Sequence, residues 1–215
     1  MNILFVGNSY TYYNDLELLF QNLCRENGIA VNAYRVTKGS RKLIDYMDPE
    51  DETTHQLEAA IRDRHYDICF IQEQSKLPAL DFDTFLSGAT HVKRMVGKQA
   101  DRFFLYATWA RKQGSGDLLL HGWTPETMTQ ALMEAYEKAG AKMNIPVSPV
   151  GKQFWAVKCA DPDIELHDRD LTHPSYQGSC LAALTHYHSV FGKFPENTQS
   201  LRLPEHVLEA FRQAF

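Results

Sequence analysis

Short apolar runs alternate along the chain with segments of helical periodicity. Five apolar runs predict strands, at residues 2–6, 30–36, 66–71, 102–108 and 145–150. Segments whose apolar residues recur at the spacing of one helix face predict helices at residues 16–26, 53–64, 81–98, 125–143, 176–191 and 204–215. Because helical segments follow the strands, the pattern predicts βαβ units and a parallel sheet with helices on both faces.

The expected fold is therefore α/β, a three-layer α/β/α sandwich with about five parallel strands. Runs such as Ile68-Cys69-Phe70-Ile71 are almost continuously apolar, which is typical of strands buried on both faces. A chain of 215 residues is long enough for one sizeable core and short for two. We expect a single domain spanning residues 1–215.

Composition and charge narrow the class of protein. Hydrophobic residues make up 44% and charged residues 23%, as in ordinary globular proteins, and the formal net charge is -5. No basic stripe is visible, so no nucleic-acid partner is expected, and no apolar run is long enough to predict a membrane span. Met1–Gly7 lacks the features of a secretory signal, so a cytoplasmic location is expected, with an exported origin left open. The four cysteines form no C-x-x-C pair and predict reduced, mostly buried thiols.

Polar turns follow the first four predicted strands. They are Gly7–Thr11, Lys38–Ser40, Gln72–Ser75 and Trp109–Arg111. In open parallel sheets, ligands bind outside the carboxyl ends of the strands. We therefore expect these four turns to share one pocket.

Ser9 is the candidate nucleophile. It follows an apolar strand and a glycine that permits a sharp turn, and a predicted helix begins soon after it, whose N-terminal amides would favour a developing negative charge. The simpler interpretation is that Asn8, Ser9 or Thr11 only caps that helix. The segment by itself leaves both interpretations open.

A serine hydroxyl needs a base, and the candidate base is His173. Asp170 stands three residues before it, and Pro174 and a predicted helix follow. A carboxylate at that distance could fix the imidazole tautomer and stabilise the imidazolium. A polar loop that caps the helix near Ser175 is an equally good interpretation of this segment alone.

Together the two segments resemble the first and last motifs of the SGNH, or GDSL-type, serine hydrolases. Gly7-Asn8-Ser9 is similar to the nucleophile motif, and Asp170-Leu171-Thr172-His173-Pro174 is similar to the motif that carries the acid and the base. The resemblance implies a flavodoxin-like SGNH hydrolase fold with Ser9 as nucleophile, His173 as base and Asp170 as its partner. The sequence departs from the family in carrying Asn8 where an aspartate is commoner.

The resemblance also implies an oxyanion hole. Its donors would be the amide of Ser9, Gly39 after the second strand, and a residue after the third strand where the family carries an asparagine. Here Gln72-Glu73-Gln74-Ser75 stands at that place, and Gln74 aligns with the asparagine. Gln72 is an alternative donor. This set resembles a divergent branch of the family that carries Gly-Asn-Ser and Gln-Glu-Gln-Ser.

Other residues have weaker assignments. Gln72, Trp109 and Arg111 are candidates for substrate binding, although Trp109 and Arg111 could equally be a rim aromatic and a solvated arginine. Glu73 is expected to form a salt bridge or a helix cap. Residues 114–123 predict either a mobile lid or a surface loop. No ligand cluster for a metal is visible, and no cofactor is expected.

The sequence thus predicts hydrolysis of small O-acyl esters, acetyl esters included and possibly carried on carbohydrates, by a Ser-His-Asp triad and an oxyanion hole. The expected partner is a small-molecule ester. One alternative is a catalytically silent relative that binds a carbohydrate or acyl ligand, which the departures at Asn8 and Gln74 motivate. A second is an unrelated flavodoxin-like module that binds phosphate at the first loop.

Overall fold

One five-stranded parallel sheet forms the centre of the protein. A computed structural model describes all 215 residues. The strands are β1 (Asn2–Gly7), β2 (Asn32–Thr37), β3 (Tyr66–Ile71), β4 (Ala100–Tyr106) and β5 (Val147–Ser148). Their order across the sheet is β2-β1-β3-β4-β5, and every neighbouring pair is parallel. The predicted fold class is confirmed.

Ten α-helices connect and flank the strands. They are α1 (Ser9–Tyr12), α2 (Leu16–Glu26), α3 (Glu52–Arg62), α4 (Leu77–Leu80), α5 (Phe82–Val96), α6 (Gly116–His121), α7 (Pro125–Met143), α8 (Val150–Ala160), α9 (Tyr176–Phe191) and α10 (Glu205–Gln213). No helix has the length and apolar character needed to cross a lipid bilayer.

The alternation of side chains along each strand divides the core into two layers. Ile3 and Phe5 of β1 pack in a cluster of 27 buried residues, with α2, α8, α9 and α10. Leu4 and Val6 point to the opposite face and pack in a cluster of 21 buried residues, with α3, α5 and α7. Because strand side chains alternate between faces, β1 is apolar from Ile3 to Val6 and buried on both sides.

Two predicted elements differ from the structure at the fifth strand. The strand predicted at residues 145–150 is only two residues long, and Val150 already begins α8, a helix that the predictions omitted. This helix lies directly against the end of β4, since a Cβ added at Gly151 would lie 2.2 Å from the carbonyl oxygen of Thr108. Smaller differences occur elsewhere, as at α3, which is capped by Asp51 rather than Thr53.

Candidate active site

The loop after β1 holds Ser9 at the start of α1. A Cβ at Gly7 would lie 2.4 Å from Gln72 Oε1, so only glycine fits where the chain leaves the strand. Asn8 anchors the turn: its backbone N–H donates to Gln72 Oε1 (2.9 Å), and its side-chain amide donates to the carbonyl of Arg41 (2.9 Å). Its Oδ1 accepts from Tyr10 N at 3.1 Å, which caps α1. The capping role that competed for this segment thus belongs to Asn8.

The imidazole of His173 lies next to the Ser9 hydroxyl. His173 Nε2 is 2.8 Å from Ser9 Oγ, although 164 residues separate the two along the chain. On the other side of the ring, Nδ1 is 2.5 Å from Asp170 Oδ2. An ionised carboxylate can only accept, so the ring proton belongs on Nδ1 and the Nε2 lone pair faces the hydroxyl. That is the arrangement a general base requires.

Asp170 is fixed by the turn in which it stands. Its Oδ1 accepts from the backbone N–H groups of Thr172 and His173, both at 2.9 Å. Leu171 between them has φ 62°, a left-handed conformation that is unusual for leucine. Burial acts to raise the pKa of Asp170, but hydrogen bonds from the His173 side chain and from the His173 and Thr172 backbone outweigh it and hold that pKa below its ordinary value.

An asparagine joins the nucleophile segment to the segment that carries the base. Asn14 Nδ2 lies 3.2 Å from the carbonyl oxygens of Pro174 and Ser175 and 2.9 Å from Ser179 Oγ. Its backbone has φ 54° and ψ 23°, in the left-handed region. Next to it, the Tyr13 ring stacks on the imidazole of His173, with 4.2 Å between ring centroids and 9° between planes.

Ser9 and His173 open into a small polar cavity of about 90 Å³. It is lined by Asn8, Ser9, Tyr10, Ser40, Gln74, Ser75, Arg111, Thr172 and His173. Each of the four predicted turns contributes at least one lining residue, so the turns meet at the carboxyl edge of the sheet. Gly39 is exposed and does not line the cavity, whereas its neighbour Ser40 does.

The two glutamines after β3 have different environments. Gln72 is buried, and its Oε1 accepts from Asn8 N and from the Thr11 hydroxyl (2.8 Å), so it supports the nucleophile loop from below. It does not line the cavity but lies beneath it. Gln74 does line the cavity. Its Oε1 accepts from Lys76 N and Leu77 N, both at 3.1 Å, which leaves its amide N–H groups available to a ligand.

Trp109 is fully buried and lies beneath the cavity rather than at its rim. It stacks between Tyr10 and Phe154, at 4.4 Å from each ring centroid, and its indole N–H donates to the carbonyl of Thr172 at 3.1 Å. The structure therefore places Trp109 in a supporting position under the cavity. It holds the turn before His173 in place, and Phe154 of α8, a helix absent from the predicted elements, covers its other face.

Arg111 lines the cavity with a side chain that is 5% exposed, so the alternative of a solvated arginine is wrong. Its Nε donates to Asp117 at 2.9 Å, and its terminal nitrogens donate to the Tyr10 hydroxyl and to Ser75 Oγ. Asp117 belongs to α6, so part of the segment predicted as a lid or loop is a short helix tied to the site. Asp117 is shared with Lys76, whose Nζ lies 2.5 Å from Oδ1, so one carboxylate faces two cations and the guanidinium keeps part of its positive charge at the cavity wall.

A buried carboxyl group connects two of the loops around the cavity. Glu73 accepts from Leu43 N (3.0 Å) and Gln74 N (2.6 Å) and has no cationic partner, so the expected salt bridge is wrong. Burial raises the pKa of Glu73 to about 8, and the two backbone donors only partly oppose that shift. Near neutral pH this side chain therefore carries a proton and holds the loop after β2 against the loop after β3.

Comparison with known proteins gives structural relatives only. No protein-family model matches the chain, and no curated protein matches it in sequence. A candidate SGNH hydrolase from Slackia heliotrinireducens superposes with a TM-score of 0.74 at 25% identity, over 88% of this chain and 98% of that one. A DUF4886 family protein from Bacteroides uniformis superposes with a TM-score of 0.83 at 16% identity, over 100% and 92%. A variant of an acetyl xylan esterase from Geobacillus stearothermophilus gives 0.61 at 12% identity, over 91% and 97%.

These structural similarities define the fold class of the protein. The fold is that of the SGNH, or GDSL-type, hydrolases, and the resemblance inferred from the two end motifs is confirmed at the level of the fold. The structural neighbours include hydrolases and acetyl xylan esterases, which is consistent with an ester hydrolase.

Proposed function

We propose that this protein, folded as one domain over residues 1–215, is a serine ester hydrolase with Ser9 as nucleophile, His173 as general base and Asp170 as the group that orients the base. The observation that carries the proposal is the pair of contacts on the two imidazole nitrogens, 2.8 Å to Ser9 Oγ and 2.5 Å to Asp170 Oδ2. Acyl transfer by a serine requires a histidine that contacts the hydroxyl with one ring nitrogen and a carboxylate with the other, and this is the arrangement of Ser9, His173 and Asp170.

The reaction follows from the positions of these groups. As Ser9 Oγ attacks the ester carbonyl carbon, its proton moves to His173 Nε2, and the carbonyl oxygen becomes an oxyanion. His173 then gives the proton to the departing alcohol, which leaves an acyl group on Ser9. A water molecule, deprotonated by His173 in the same way, attacks the acyl carbon, and the carboxylic acid leaves with Ser9 restored.

Three donors are assigned to the oxyanion: the amide of Ser9, the side-chain N–H of Gln74 and the amide of Ser40. The predicted donor was Gly39, and we move the role to the next residue because Ser40 lines the cavity and Gly39 does not. Preorganised donors of this kind are usually the largest single contribution to acyl transfer.

The size of the cavity favours a small acyl group. At about 90 Å³ it is smaller than a cavity of roughly 150 Å³ that accommodates benzene in another protein. An acetyl group fits within this space, whereas a long acyl chain would have to extend beyond it. The wall formed by Ser75 and Arg111 is polar, which also disfavours a chain of methylene groups. We therefore assign acetyl esters as the substrates, with O-acetylated sugars as the first class to test.

The test is labelling with a fluorophosphonate, which requires an activated serine, together with hydrolysis of 4-nitrophenyl esters of increasing acyl length. We expect the wild type to be labelled and to prefer the acetate, and Ser9→Ala to lose labelling and at least about 10³-fold in kcat. Ser87, exposed on α5, provides the matched control, since Ser87→Ala should behave as the wild type.

An unlabelled wild type without esterase activity would contradict the proposal and favour the silent ligand-binding alternative. Labelling that persists in Ser9→Ala would show that another serine is the nucleophile.

A further inference from the structure

A buried arginine follows the turn that carries Ser40. The side chain of Arg41 is only 6% exposed, although it stands in the loop after β2. Its Nη1 donates to Asp51 Oδ2 at 2.7 Å, and the guanidinium carbon lies 4.8 Å from the centroid of the Tyr46 ring. Nε and Nη2 are buried and have no hydrogen-bond partner in the chain. The position of this guanidinium therefore depends on one carboxylate and one aromatic ring.

Both partners of the guanidinium are held by the body of the fold. Asp51 caps α3, since its Oδ1 accepts from Thr53 N at 2.7 Å and from Thr54 N at 3.3 Å. The hydrogen bond from Arg41 holds the pKa of Asp51 well below its usual value, so the carboxylate stays ionised at neutral pH. Tyr46 is 1% exposed and belongs to the cluster of 21 buried residues on one face of the sheet. The side chain of Arg41 is thus attached to rigid structure behind the loop.

The backbone of the same arginine contacts the nucleophile loop. The carbonyl of Arg41 accepts from Asn8 Nδ2 at 2.9 Å, and Asn8 directly precedes Ser9. Arg41 N donates to the carbonyl of Lys38 at 3.2 Å, which closes the turn that contains Ser40. Ser40 has φ 58°, a left-handed conformation that is uncommon for serine and persists where the surroundings hold it. One residue therefore connects the two backbone amides that are assigned to the oxyanion.

The rest of this turn has little to hold it in place. Lys38, Gly39 and Ser40 are all exposed, and Arg41 is the first buried residue after them. Donors to an oxyanion act because their positions are fixed before the reaction begins. A displacement of about 1 Å at a reacting centre can cost on the order of 10² in rate. The anchor of the turn should therefore matter to turnover.

We propose that Arg41 is a positioning residue of the oxyanion hole. Its carbonyl holds the nucleophile loop, and its guanidinium, fixed by Asp51 and Tyr46, holds the turn that presents the Ser40 amide. This inference rests on the proposed esterase function and adds to it a residue that does not line the cavity. The side chain acts on the reaction through the turn, without touching the substrate.

The first experiment measures kcat per reactive serine. Ser9 is labelled to completion with a fluorophosphonate, and the rate of 4-nitrophenyl acetate hydrolysis is divided by the labelled fraction. We expect kcat of Arg41→Met to fall about 10²-fold, with KM within about 3-fold of the wild type. Arg41→Lys, which keeps the charge but loses the flat group that stacks on Tyr46, should fall less. Arg64 is the matched control, because it is exposed, lies before β3 at the other edge of the sheet and stacks on Tyr34 at 4.1 Å, so Arg64→Met should behave as the wild type.

A second variant breaks the same contact without removing the arginine. Asparagine caps a helix as well as aspartate does, so Asp51→Asn should keep α3 while it removes the charge that faces Arg41. We expect kcat per labelled serine to fall about 10-fold or more. The double variant, Arg41→Met with Asp51→Asn, should lose no more than Arg41→Met alone, because both changes break one interaction.

Inhibition by phenylboronic acid gives a readout that a purely structural role would not move. Boronic acids form a tetrahedral adduct on a reactive serine and so resemble the transition state of acyl transfer. The inhibition constant should rise in Arg41→Met by about the same factor as kcat/KM falls, since both report binding in the oxyanion hole.

The outcomes separate this inference from the esterase proposal. A wild type that hydrolyses esters, together with an Arg41→Met variant whose kcat per labelled serine is unchanged, would overturn the positioning role and leave the esterase. A reduced labelled fraction alone would show that Arg41 only stabilises the fold. Losses that add in the double variant would overturn the shared contact with Asp51. A wild type that is neither labelled nor active would overturn both proposals.

Discussion

Replacing Asp170 by asparagine tests the triad most directly. The substitution keeps Oδ1, which accepts from Thr172 N and His173 N, so the turn should persist. It exchanges Oδ2 for an amide that donates a proton toward His173 Nδ1. That nitrogen must then accept, which places the ring proton on Nε2, facing Ser9, where a base needs a lone pair. The variant should fold and lose activity.

The size of the loss follows from how exposed the carboxylate is. In a Ser-His-Asp enzyme with a buried aspartate, the same change cost about 10⁴ in kcat, and this is an upper guide. Here the Asp170 side chain is 46% exposed, so water can replace part of its interaction with the imidazolium. We expect kcat to fall by about 10², within limits of roughly 10 and 10⁴.

Asp168 provides the matched control. It lies two residues away in the same segment, and its Oδ1 accepts only from Arg169 N at 2.7 Å. Asp168→Asn makes the same change of charge and should stay within a few-fold of the wild type. Steady-state hydrolysis of 4-nitrophenyl acetate by both variants gives the comparison. If Asp168→Asn were the impaired variant, the assignment of Asp170, and of His173 with it, would be wrong.

Three further outcomes are expected. Asn14→Gly keeps the left-handed backbone but removes the link to the His173 segment, so kcat should fall about 10-fold, whereas Asn144→Gly, at a similar φ of 51° far from the site, should leave kcat unchanged. Gln74→Ala should fold normally by circular dichroism and lose about 10²–10³ in kcat, and unchanged turnover would exclude it as a donor. Since the pKa of Glu73 rises from 4.5 in the unfolded chain to about 8 in the fold, the contribution of Glu73 to the free energy of unfolding should be largest below the lower value and decline through this window, by at most about 5 kcal/mol. Urea unfolding of Glu73→Gln should lack that decline, and its persistence would mean that another group causes it.

The fold could be predicted from the sequence where periodicity and end signals agree. The helix at residues 125–143 matches α7 at both ends because Thr124 supplies a cap and Pro125 suits the first turn. At the fifth strand, periodicity and end signals do not agree. Val150, Phe154 and Val157 have helical spacing, and that signal could have revealed α8, but a strand predicted across Val150 concealed it.

The site was predictable in its chemistry and less so in its supports. The sequence dictates the local geometry of Ser9 at the start of α1 and of Asp170 beside His173, and the fold brings these two segments together. The position of Trp109 after a strand predicts a residue that lines the pocket or lies at its rim, and only the path of α8 decides that it is covered. The sequence leaves Gln72 as a possible donor, because tertiary packing rather than local sequence decides whether its side chain points below the loop or into the cavity.

The long separation between Ser9 and His173 has a consequence for how activity arises. The nucleophile loop needs β1, β2 and β3, whereas the base enters only with the segment that leads into α9, 164 residues later. A partly folded chain can therefore complete most of the sheet and still hold an unactivated serine hydroxyl, which is a poor nucleophile. Fluorophosphonate labelling during refolding would measure the closure of this last contact rather than the formation of secondary structure. The rate at which labelling returns would give the rate at which the contact between Ser9 and His173 forms.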